Sequence, residues 1–556
     1  MLTLTYKVNG LTKTSSDNET EDYKLNIDSG DGRTIIRIFP KKELGLLGAY
    51  FDIPHKYTKD ECVYLNGYQS WTDTREFDIN EDVKSLDRSI LNKHIKRCGP
   101  LHKKVMDMFH FKEYGDEIFK KYHLRVLHGY TFSYIRNKTN NESILYGSRN
   151  CFNAFLIINH DIKHDRIRLE SDINGRVIDK EFTLFDFVEL KGNYLTITNE
   201  YLSFYKNKRD IKPLRGYTSW YNHYQNINEE IVLKNLDSID SSHYDLFQID
   251  DGSESFVGDW LDIDANKFPN GLKPIVDKIH QKGLKAGIWL APLVAEKNSK
   301  LFKEHPDFIY RENGKEVYAG CNWSGDCPLD IRNPEVIEYI KKVLYYYKDL
   351  GFDFFKLDFL YASCLVKDKS ETRAETMHRM MELIRNELGE DALILVCGVP
   401  LSSCFGLTDY ARIGPDVSLK FDDAFYMKLF HRERISTKIT LVNTIYRSYF
   451  NKVAFLNDPD VYLLRDDNIE LNEKQKQSLV ILNHLCGSLW MTSDDVSKYD
   501  EAKKKQLEEA KQYVGSEITD IRKNKSIIDI DFINKDKKYT LRYLIKKGEI
   551  SWIKPL

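Results

Sequence analysis

Ten residues in the middle of the chain read Gly351-Phe-Asp-Phe-Phe-Lys-Leu-Asp-Phe-Leu360. A short apolar run after a glycine is typical of a parallel strand that is covered on both faces. Lys356 and Asp358 are two residues apart, so on a strand their side chains point the same way. A neighbouring lysine favours the ionised carboxylate, which a nucleophile requires. The segment therefore predicts either a buried strand that ends in a reactive carboxylate or an exposed Lys–Asp pair at a strand end.

The sequence around this segment alternates between short apolar runs and helical patterns from about residue 206 onward. Helix signals stand between the runs: Asn333 and Pro334 provide an N-cap and a first-turn proline for the helix that ends at Gly351. The eight predicted strands are 215–221, 244–252, 285–293, 352–359, 392–399, 410–416, 453–458 and 489–493. Eight β/α units in succession predict a (β/α)8 TIM barrel.

Strand-like segments flank the predicted barrel on both sides. Residues 1–205 alternate apolar and polar side chains, and a charged, helical segment is expected to interrupt them within residues 80–123. After residue 514 short alternating runs return, separated by Lys-Gly turns. The predicted domains are an N-terminal β-sandwich domain over 1–205, the barrel over 206–514 and a small C-terminal antiparallel β domain over 515–556.

The composition of the chain narrows its functional classes. With 556 residues, of which 42% are hydrophobic and 13% aromatic, the chain can build several large cores. A net charge of −3 argues against nucleic acid or an anionic membrane as the main partner. The nine cysteines include no CxxC pair, so we expect neither a disulfide framework nor a zinc site. The first residues have no signal-peptide pattern and no long apolar run follows, so we expect a soluble, cytoplasmic protein.

Polar side chains gather where the predicted strands end, which is where TIM-barrel enzymes carry out their chemistry. A single aspartate at a strand end is often only a helix cap, but six adjacent strands that end in this way indicate a functional site. In strand order these residues are Ser219, Trp220 and Tyr221; Asp250 and Asp251; Trp289; Lys356 and Asp358; Cys397 and Gly398; Arg412 and Asp416; Asn457, Asp458 and Asp460; and Asp494 and Asp495.

Carboxylates accompanied by arginine, lysine and tryptophan suit the hydrolysis of a glycosidic bond. One carboxylate attacks the anomeric carbon, and a second donates a proton to the leaving oxygen. Tryptophan faces stack on sugar rings, and the adjacent Asp250 and Asp251 can each accept hydrogen bonds from sugar hydroxyls. Arg412 precedes Asp416 by four residues and can orient either that carboxylate or a hydroxyl.

Seven motifs, in this order and at this spacing, resemble glycoside hydrolase family 36, the retaining α-galactosidases. The resemblance covers nearly the whole chain and implies an N-terminal β-supersandwich, a catalytic TIM barrel and a small C-terminal β domain. The motifs are Asn66-Gly-Tyr-Gln-Ser-Trp71, Gly216-Tyr-Thr-Ser-Trp220, Phe247-Gln-Ile-Asp-Asp-Gly252, Gly287-Ile-Trp-Leu-Ala-Pro292, Lys356-Leu-Asp358, Arg412-Ile-Gly-Pro-Asp416 and Asn457-Asp-Pro-Asp460.

The resemblance also implies roles for individual residues. Asp358 would be the nucleophile and Asp416 the acid/base of an enzyme that removes terminal galactose from small oligosaccharides, with no metal and no cofactor. The implied substrate-binding residues are Asp250 and Asp251 for O4 and O6, Lys356 and Arg412 for further hydroxyls, Trp220 and Trp289 as pocket walls, Trp71 as a closing residue, and Cys397 and Gly398 near O2.

Two tracts depart from the family pattern: Val417-Ser-Leu-Lys-Phe421 and Cys321-Asn-Trp-Ser-Gly-Asp-Cys327. Both are expected to reshape the leaving-group side. Three alternatives stay open at this point. The barrel could act on N-acetylgalactosaminides or transfer galactose, it could bind sugar without catalysis, or it could be a metal-dependent hydrolase. The last needs a cluster of histidines, which His223 does not have in the sequence around the strand ends.

Overall fold

The computed structural model describes residues 1–86, 88, 115–422 and 425–556. Most of the helical segment expected within residues 80–123 lies outside these ranges. Antiparallel sheets come first along the chain, a parallel barrel follows, and a further antiparallel sheet comes last. The predicted fold class, a TIM barrel between an N-terminal β-supersandwich and a small C-terminal β domain, is confirmed. The division at residues 205 and 514 stays a prediction.

The N-terminal part contains two antiparallel sheets of seven strands each that enclose an apolar core. The first sheet has the order β2-β1-β5-β12-β11-β8, with β13 beside β5, and the second has the order β3-β4-β14-β10-β9-β6-β7. The strands are β1 (Leu2–Val8), β2 (Leu11–Ser15), β3 (Tyr23–Gly30), β4 (Arg33–Pro40), β5 (Leu44–Pro54), β6 (Glu61–Leu65), β7 (Arg75–Asp78), β8 (Val126–Tyr130), β9 (Phe132–Asn137), β10 (Glu142–Ser148), β11 (Phe155–Asp161), β12 (Arg166–Asp172), β13 (Val177–Ile178) and β14 (Phe182–Asn193).

Helix α1 (Tyr194–Ser203) leads from these sheets to the barrel. The strands of the barrel and of its loops are β15 (Leu214–Thr218), β16 (Leu246–Ile249), β17 (Lys285–Leu290), β18 (Val294–Glu296), β19 (Arg311–Glu312), β20 (Lys315–Glu316), β21 (Asp326–Pro328), β22 (Phe354–Leu357), β23 (Leu393–Val396), β24 (Tyr410–Arg412), β25 (Leu456–Asp458), β26 (Val461–Tyr462) and β27 (Leu489–Thr492). The helices are α2 (Trp220–His223), α3 (Glu229–Ser238), α4 (Lys273–Gln281), α5 (Lys300–Glu304), α6 (Pro334–Asp349), α7 (Arg373–Leu388), α8 (Phe425–Phe430), α9 (Thr437–Tyr446), α10 (Glu473–Cys486) and α11 (Glu501–Lys511).

The barrel closes through an interrupted seventh strand. The parallel sheet runs β25-β24-β23-β22-β17-β16-β15-β27-β26, so β25 and β26 stand at its two ends. Only Pro459 and Asp460 separate these two segments along the chain, and Asp460 has a φ of 73°. Proline lacks the N–H that a continuous strand would donate, and a positive φ turns the chain out of the strand. The seventh strand is therefore split, and the predicted strand over 453–458 ends where its first segment ends.

Local signals account for the elements that carry the barrel. Asn333 caps α6 by accepting from the Glu335 N–H at 2.9 Å, and Pro334 occupies its first turn, as the sequence predicts. All four residues of β22 are buried, which agrees with a parallel strand covered on both faces. Because β22 lies between β17 and β23, its carboxyl end lies beside the carboxyl ends of these two strands.

The last sheet comprises β28 (Glu517–Asn524), β29 (Ile527–Asn534), β30 (Lys537–Leu544) and β31 (Glu549–Pro555), paired in chain order. It packs on the barrel through α10, where the Ile550 N–H donates to the Ser478 hydroxyl at 2.7 Å. None of the helices in the described part of the chain combines the length and the apolar character that crossing a bilayer requires.

Candidate active site

The sheet order brings the predicted site residues to one end of the barrel. β16, β17, β22, β23 and β24 are consecutive neighbours, and Trp289 on β17 is paired in register with Lys356 on β22. Asp250 and Asp251 directly follow β16, Asp358 follows β22, and Cys397 follows β23. Side chains that leave adjacent parallel strands at the same end converge above the barrel, so these residues line one site.

Asp250 and Lys356 form a buried ion pair across the centre of this site. The Lys356 Nζ lies 2.8 Å from Asp250 Oδ2, and both residues are at most 4% exposed. The same oxygen accepts from Gln248 Nε2 at 2.8 Å, while Asp250 Oδ1 accepts from the Asp251 N–H at 3.0 Å. Lys356 therefore makes its ion pair with the carboxylate on the next strand but one, and it favours the ionised form of Asp358 through its charge alone.

Asp358 is held by neutral N–H donors. Its Oδ1 accepts from the Phe359 N–H at 2.8 Å, and its Oδ2 accepts from the Trp289 indole N–H at 3.2 Å. Burial raises the pKa of Asp358; the charge of Lys356 opposes that rise, and the charge of Asp416 adds to it. The carboxylate is thus fixed in orientation and lies within electrostatic reach of both Lys356 and Asp416.

Arg412 joins three carboxylates at the ends of strands six and seven. Its Nη1 donates to Asp416 Oδ1 and its Nε to Asp458 Oδ2, both at 2.8 Å, and its Nη2 lies 3.0 Å from Asp460 Oδ1. Burial raises the pKa of Asp460 to about 7 although Arg412 lowers it. Asp416 differs from the other two acids because 30% of its side chain is exposed. Arg412 therefore orients the one carboxylate of this cluster that faces solvent.

Trp71 reaches the barrel from the N-terminal sheets. Its indole N–H points to Cys397 Sγ at 3.4 Å, and its ring packs edge-on against Phe359 with 5.4 Å between the centroids. Gly398 makes this approach possible, since a Cβ at that position would lie 2.8 Å from the Trp71 ring. Burial raises the pKa of Cys397 well above that of an ordinary thiol, so it stays protonated beside the indole.

The loop that carries Trp71 is fastened to the barrel by its backbone. The Ser70 N–H donates to the Val399 carbonyl at 3.1 Å. The buried Arg447 guanidinium donates to the carbonyls of Ser70 at 2.5 Å and Gln69 at 2.9 Å. Glu433 accepts from Gln69 Nε2 at 2.6 Å. These contacts fix the position of Trp71 above strand five.

Trp220 and Trp289 have different surroundings. Trp289 is 4% exposed and packs edge-on against Trp260, with 5.7 Å between the centroids. Trp220 is half-buried and packs edge-on against the exposed Tyr224 at 5.1 Å. Of the two predicted pocket walls, Trp289 contacts the Asp358 carboxylate, and Trp220 contacts the Tyr224 ring.

Sequence reasoning missed Trp323 as a site residue, although it singled out the tract 321–327 as unusual. The structure places the Trp323 indole N–H 2.9 Å from Asp251 Oδ2. Its ring packs against Phe359 and Trp289, with centroid distances of 5.2 Å and 6.1 Å. The contacts of Trp323 are thus with Asp251, Phe359 and Trp289, and the expectation that the tract reshapes the leaving-group side stays a prediction.

Asp458 and Asp460 are among the polar residues that the sequence places at strand ends, but the sequence assigns them no role. The motif 457–460 marks them as polar residues at a strand end, but only the fold reveals that both turn toward Arg412. The described residues contain no group of three or more His, Cys, Asp or Glu side chains arranged to hold a metal ion.

Part of the chain is similar in sequence to known α-galactosidases. Residues 188–388 match the melibiase family model. An α-galactosidase from Lactobacillus acidophilus, Mel36A, is 31% identical over 144 residues, which are 25% of this chain and 18% of that enzyme. The chain therefore aligns with about a fifth of the length of this curated relative.

Two solved structures share the fold. An α-galactosidase from Thermus thermophilus in complex with p-nitrophenyl α-D-galactopyranoside has a TM-score of 0.70 at 23% identity, covering 92% of this chain and 95% of that one. The family 36 α-galactosidase AgaA from Geobacillus stearothermophilus has a TM-score of 0.61 at 13% identity, covering 97% and 81%. The resemblance of this chain to glycoside hydrolase family 36 is confirmed.

Proposed function

We propose that this protein is a retaining, exo-acting α-galactosidase that releases terminal α-linked galactose from small oligosaccharides by double displacement. The observation that carries the proposal is the contrast between two carboxylates, one directly after strand four and one on the loop after strand six. Asp358 is buried and held by two N–H donors, and Asp416 is partly exposed and held by Arg412. This is the division of labour that glycoside hydrolysis with two carboxylates requires.

In the first step Asp358 would attack the anomeric carbon from the β face. A bond forms between that carbon and the carboxylate oxygen, while the bond to the leaving oxygen breaks. Asp416, in its protonated form, would give its proton to that oxygen. The Trp289 and Phe359 N–H groups hold the Asp358 carboxylate in place, so little reorganisation is needed at the moment of attack.

In the second step Asp416, now a carboxylate, would take a proton from water. That water attacks the anomeric carbon from the α face and releases Asp358, so the product keeps the α configuration. The exposed 30% of the Asp416 side chain gives water access to it after the leaving group departs. Arg412 can hold the carboxylate form of Asp416 through Nη1 between the two proton transfers.

Selectivity for galactose would come from Asp250 and Asp251. A sugar whose O4 is equatorial would not place that hydroxyl where these buried carboxylates can accept from it, and the loss of a charged hydrogen bond discriminates strongly. On the side that the resemblance assigns to O2, Trp71 packs so closely on Gly398 that a Cβ there would lie 2.8 Å from its ring. Because the resemblance associates Cys397 and Gly398 at this position with plain galactose, we favour galactosides over N-acetylgalactosaminides.

The compartment we propose is the cytoplasm. Eight cysteines of the described residues are free thiols, and seven of them are buried. Unpaired thiols in this number are typical of a reducing compartment.

One set of assays tests the function. Nitrophenyl α-galactoside should be cleaved, while the α-glucoside and the α-N-acetylgalactosaminide should have kcat/KM values lower by at least about 100-fold. Proton NMR during the first minutes with the galactoside should reveal α-galactose before mutarotation. Initial β-galactose would contradict retention. Binding of galactose without cleavage of any galactoside would favour a sugar-binding protein instead.

A further inference from the structure

The turn formed by residues 321–325, here the Trp323 turn, is built to present one indole to the site. It precedes β21, which pairs with β18 so that Asp326 stands opposite Glu296. Glu296 is 6% exposed, and its Oε2 accepts from the Ser324 hydroxyl at 2.6 Å and from the Ser324 N–H at 3.2 Å. The turn is therefore fastened directly beside the residue that it presents.

Trp323 itself adopts a backbone conformation that residues other than glycine rarely adopt. Its φ is 50°, and the next residue but one, Gly325, has a φ of 93°. Non-glycine residues at positive φ cost about 1 kcal/mol or more and persist where the surroundings hold them, often at functional sites. Here the surroundings are the Asp251 carboxylate and the rings of Trp289 and Phe359.

Asp251 depends on Trp323 for one of its donors. It is 2% exposed, and besides the indole it accepts from the Gln225 amide at 3.1 Å and 3.2 Å. The acidic groups facing it are Asp250, which the Lys356 ammonium neutralises, and the buried Glu254. Burial raises the pKa of Asp251, whereas the hydrogen bonds from Glu254, Trp323 and Gln225 lower it.

The two aspartates offer different acceptors. Asp250 Oδ2 accepts hydrogen bonds from the side chains of Thr218, Gln248 and Lys356, which all belong to strands of the barrel. Asp251 is equally buried, but its donors, the exposed Gln225 and the half-buried Trp323, lie on loops outside the ring of strands. The primary hydroxyl of a hexose is on a rotatable arm outside the ring, so it can reach this outer acceptor.

We propose that Trp323 is a positioning residue for sugar recognition: its indole N–H holds Asp251 as a fixed, ionised acceptor for the primary hydroxyl of the terminal sugar. The ring also completes a wall with Trp289 and Phe359 behind that hydroxyl. The inference rests on the proposed galactosidase function and adds a residue that acts on binding through Asp251.

The test compares nitrophenyl α-galactoside with its 6-deoxy analogue, nitrophenyl α-D-fucoside, which lacks only the primary hydroxyl. In the wild-type enzyme kcat/KM for the galactoside should be about 10- to 100-fold higher, the range of a hydrogen bond to a charged group. Trp323→Phe keeps an aromatic ring and removes the N–H. It should raise KM for the galactoside about tenfold with kcat within threefold, and leave the fucoside nearly unchanged.

The pH profile gives a second readout. Without the indole N–H, the pKa of Asp251 rises further, so less of it is ionised at a given acidic pH. The acid limb of kcat/KM should therefore move to higher pH in Trp323→Phe with the galactoside, and should not move with the fucoside. If Trp323 had a purely structural role, the variant would lower kcat/KM by the same factor for both substrates and would shift neither pH profile.

Two matched variants control for the loss of an indole. Trp552→Phe alters a ring in β31, outside the barrel, that packs on Arg542 in β30, and it should leave both substrates at wild-type values. Trp220→Phe alters the half-buried indole beside Tyr224 and should affect galactoside and fucoside by the same factor.

The outcomes separate the two levels of the proposal. If the wild-type enzyme cleaves neither sugar, the proposed function fails. If it cleaves the galactoside but Trp323→Phe keeps the wild-type ratio of the two substrates, the role of Trp323 is overturned and the function stands. Should Trp323→Phe fail to fold, Ser324→Ala loosens the turn from Glu296 without changing the indole. That variant should narrow the ratio, and an unchanged ratio would then overturn the role.

Discussion

The two carboxylates proposed for the reaction differ in nearly everything except residue type. Asp358 is 8% exposed and is held by a backbone N–H and an indole N–H. Among the described residues it has no ion pair within 4.0 Å. Asp416 keeps 30% of its side chain exposed and takes a charged hydrogen bond from Arg412. The surroundings of the two aspartates, and not their residue type, therefore suit them to different roles in the reaction.

This difference matters because each step asks something different of the carboxylate. A nucleophile must be aimed at one carbon and must not be tied up by a counter-charge, which neutral donors achieve. An acid/base must exchange protons with a leaving group and then with water, which requires an open position. Removing one carboxylate or the other should therefore damage the enzyme in different ways.

Removing the nucleophile should have the largest effect. Asp358→Ala should lower kcat on nitrophenyl α-galactoside by about 10⁴-fold or more, because no covalent intermediate can form. Azide, which fits the vacated space, should partly restore turnover and yield β-galactosyl azide. The matched control is Asp353→Ala. Asp353 lies at the other end of the same strand, where its carboxylate accepts from the Ala286 N–H at 2.9 Å. Loss of activity there as well, or near-normal activity in Asp358→Ala, would refute the assignment.

Removing the acid/base should separate substrates by their leaving groups. Asp416→Ala should lower kcat/KM for a galacto-oligosaccharide by about 10³- to 10⁴-fold, since its alcohol needs a proton to depart. Nitrophenolate departs without one, so the nitrophenyl galactoside should lose far less in the first step. Equal losses on both substrates would contradict the contrast between Asp416 and Asp358.

A substitution at the end of strand five, which lies between the strands of the two carboxylates, should have a smaller effect. Gly398→Ala places a Cβ 2.8 Å from the Trp71 ring and 3.2 Å from the Phe359 nitrogen at a φ of 55°. We expect KM for the galactoside to rise about tenfold as Trp71 is displaced, with a loss of about 1–3 kcal/mol in stability. Gly406→Ala is the control for backbone strain alone, because its φ is 78° and no atom lies within 4 Å of its Cβ. A rise in KM that is equal in both variants would remove Trp71 from the explanation.

The smallest effect concerns the pH dependence of stability on the Arg412 side. Burial raises the pKa of Asp460 from 3.8 to about 7, so its contribution to the free energy of unfolding is present below pH 3.8 and falls as pH rises to about 7. Asp460→Asn resembles the protonated form. Between pH 5 and pH 7.5 the stability of the variant relative to wild type should therefore improve by about 2 kcal/mol in urea unfolding. A difference that does not change with pH would contradict this account of the cluster.

The barrel could be predicted from the sequence because its signals are local. Apolar runs, the Asn333 cap and the glycine at 351 each depend on a few adjacent residues, and all eight predicted strands occur in the sheet. The predicted seventh strand ends at residue 458, before Pro459, and the short segment β26 that continues it was missed. Strand six is also shorter than predicted, since it ends at Arg412 and leaves Asp416 on the following loop.

The candidate site could be predicted only as a set of residues at strand ends. Spacing within β22 indicates that Lys356 and Asp358 share a side, but the partner of Lys356 is chosen by the position of Asp250 two strands away. Trp323 belongs to the long connection between β17 and β22, where no periodicity tells which part of the barrel mouth a turn will reach. Partner choice and loop placement are properties of the packed structure.

The most direct test of the central claim is to locate the covalent intermediate. A 5-fluoro-α-galactosyl fluoride should form the galactosyl–enzyme quickly, because fluoride leaves readily, and release it slowly, because the ring fluorine destabilises the positive charge of the second transition state. Mass spectrometry of the digested protein should find one added fluorogalactosyl group, on Asp358. Label on Asp416 or another residue, or slow turnover that leaves no adduct and gives the inverted sugar, would contradict it.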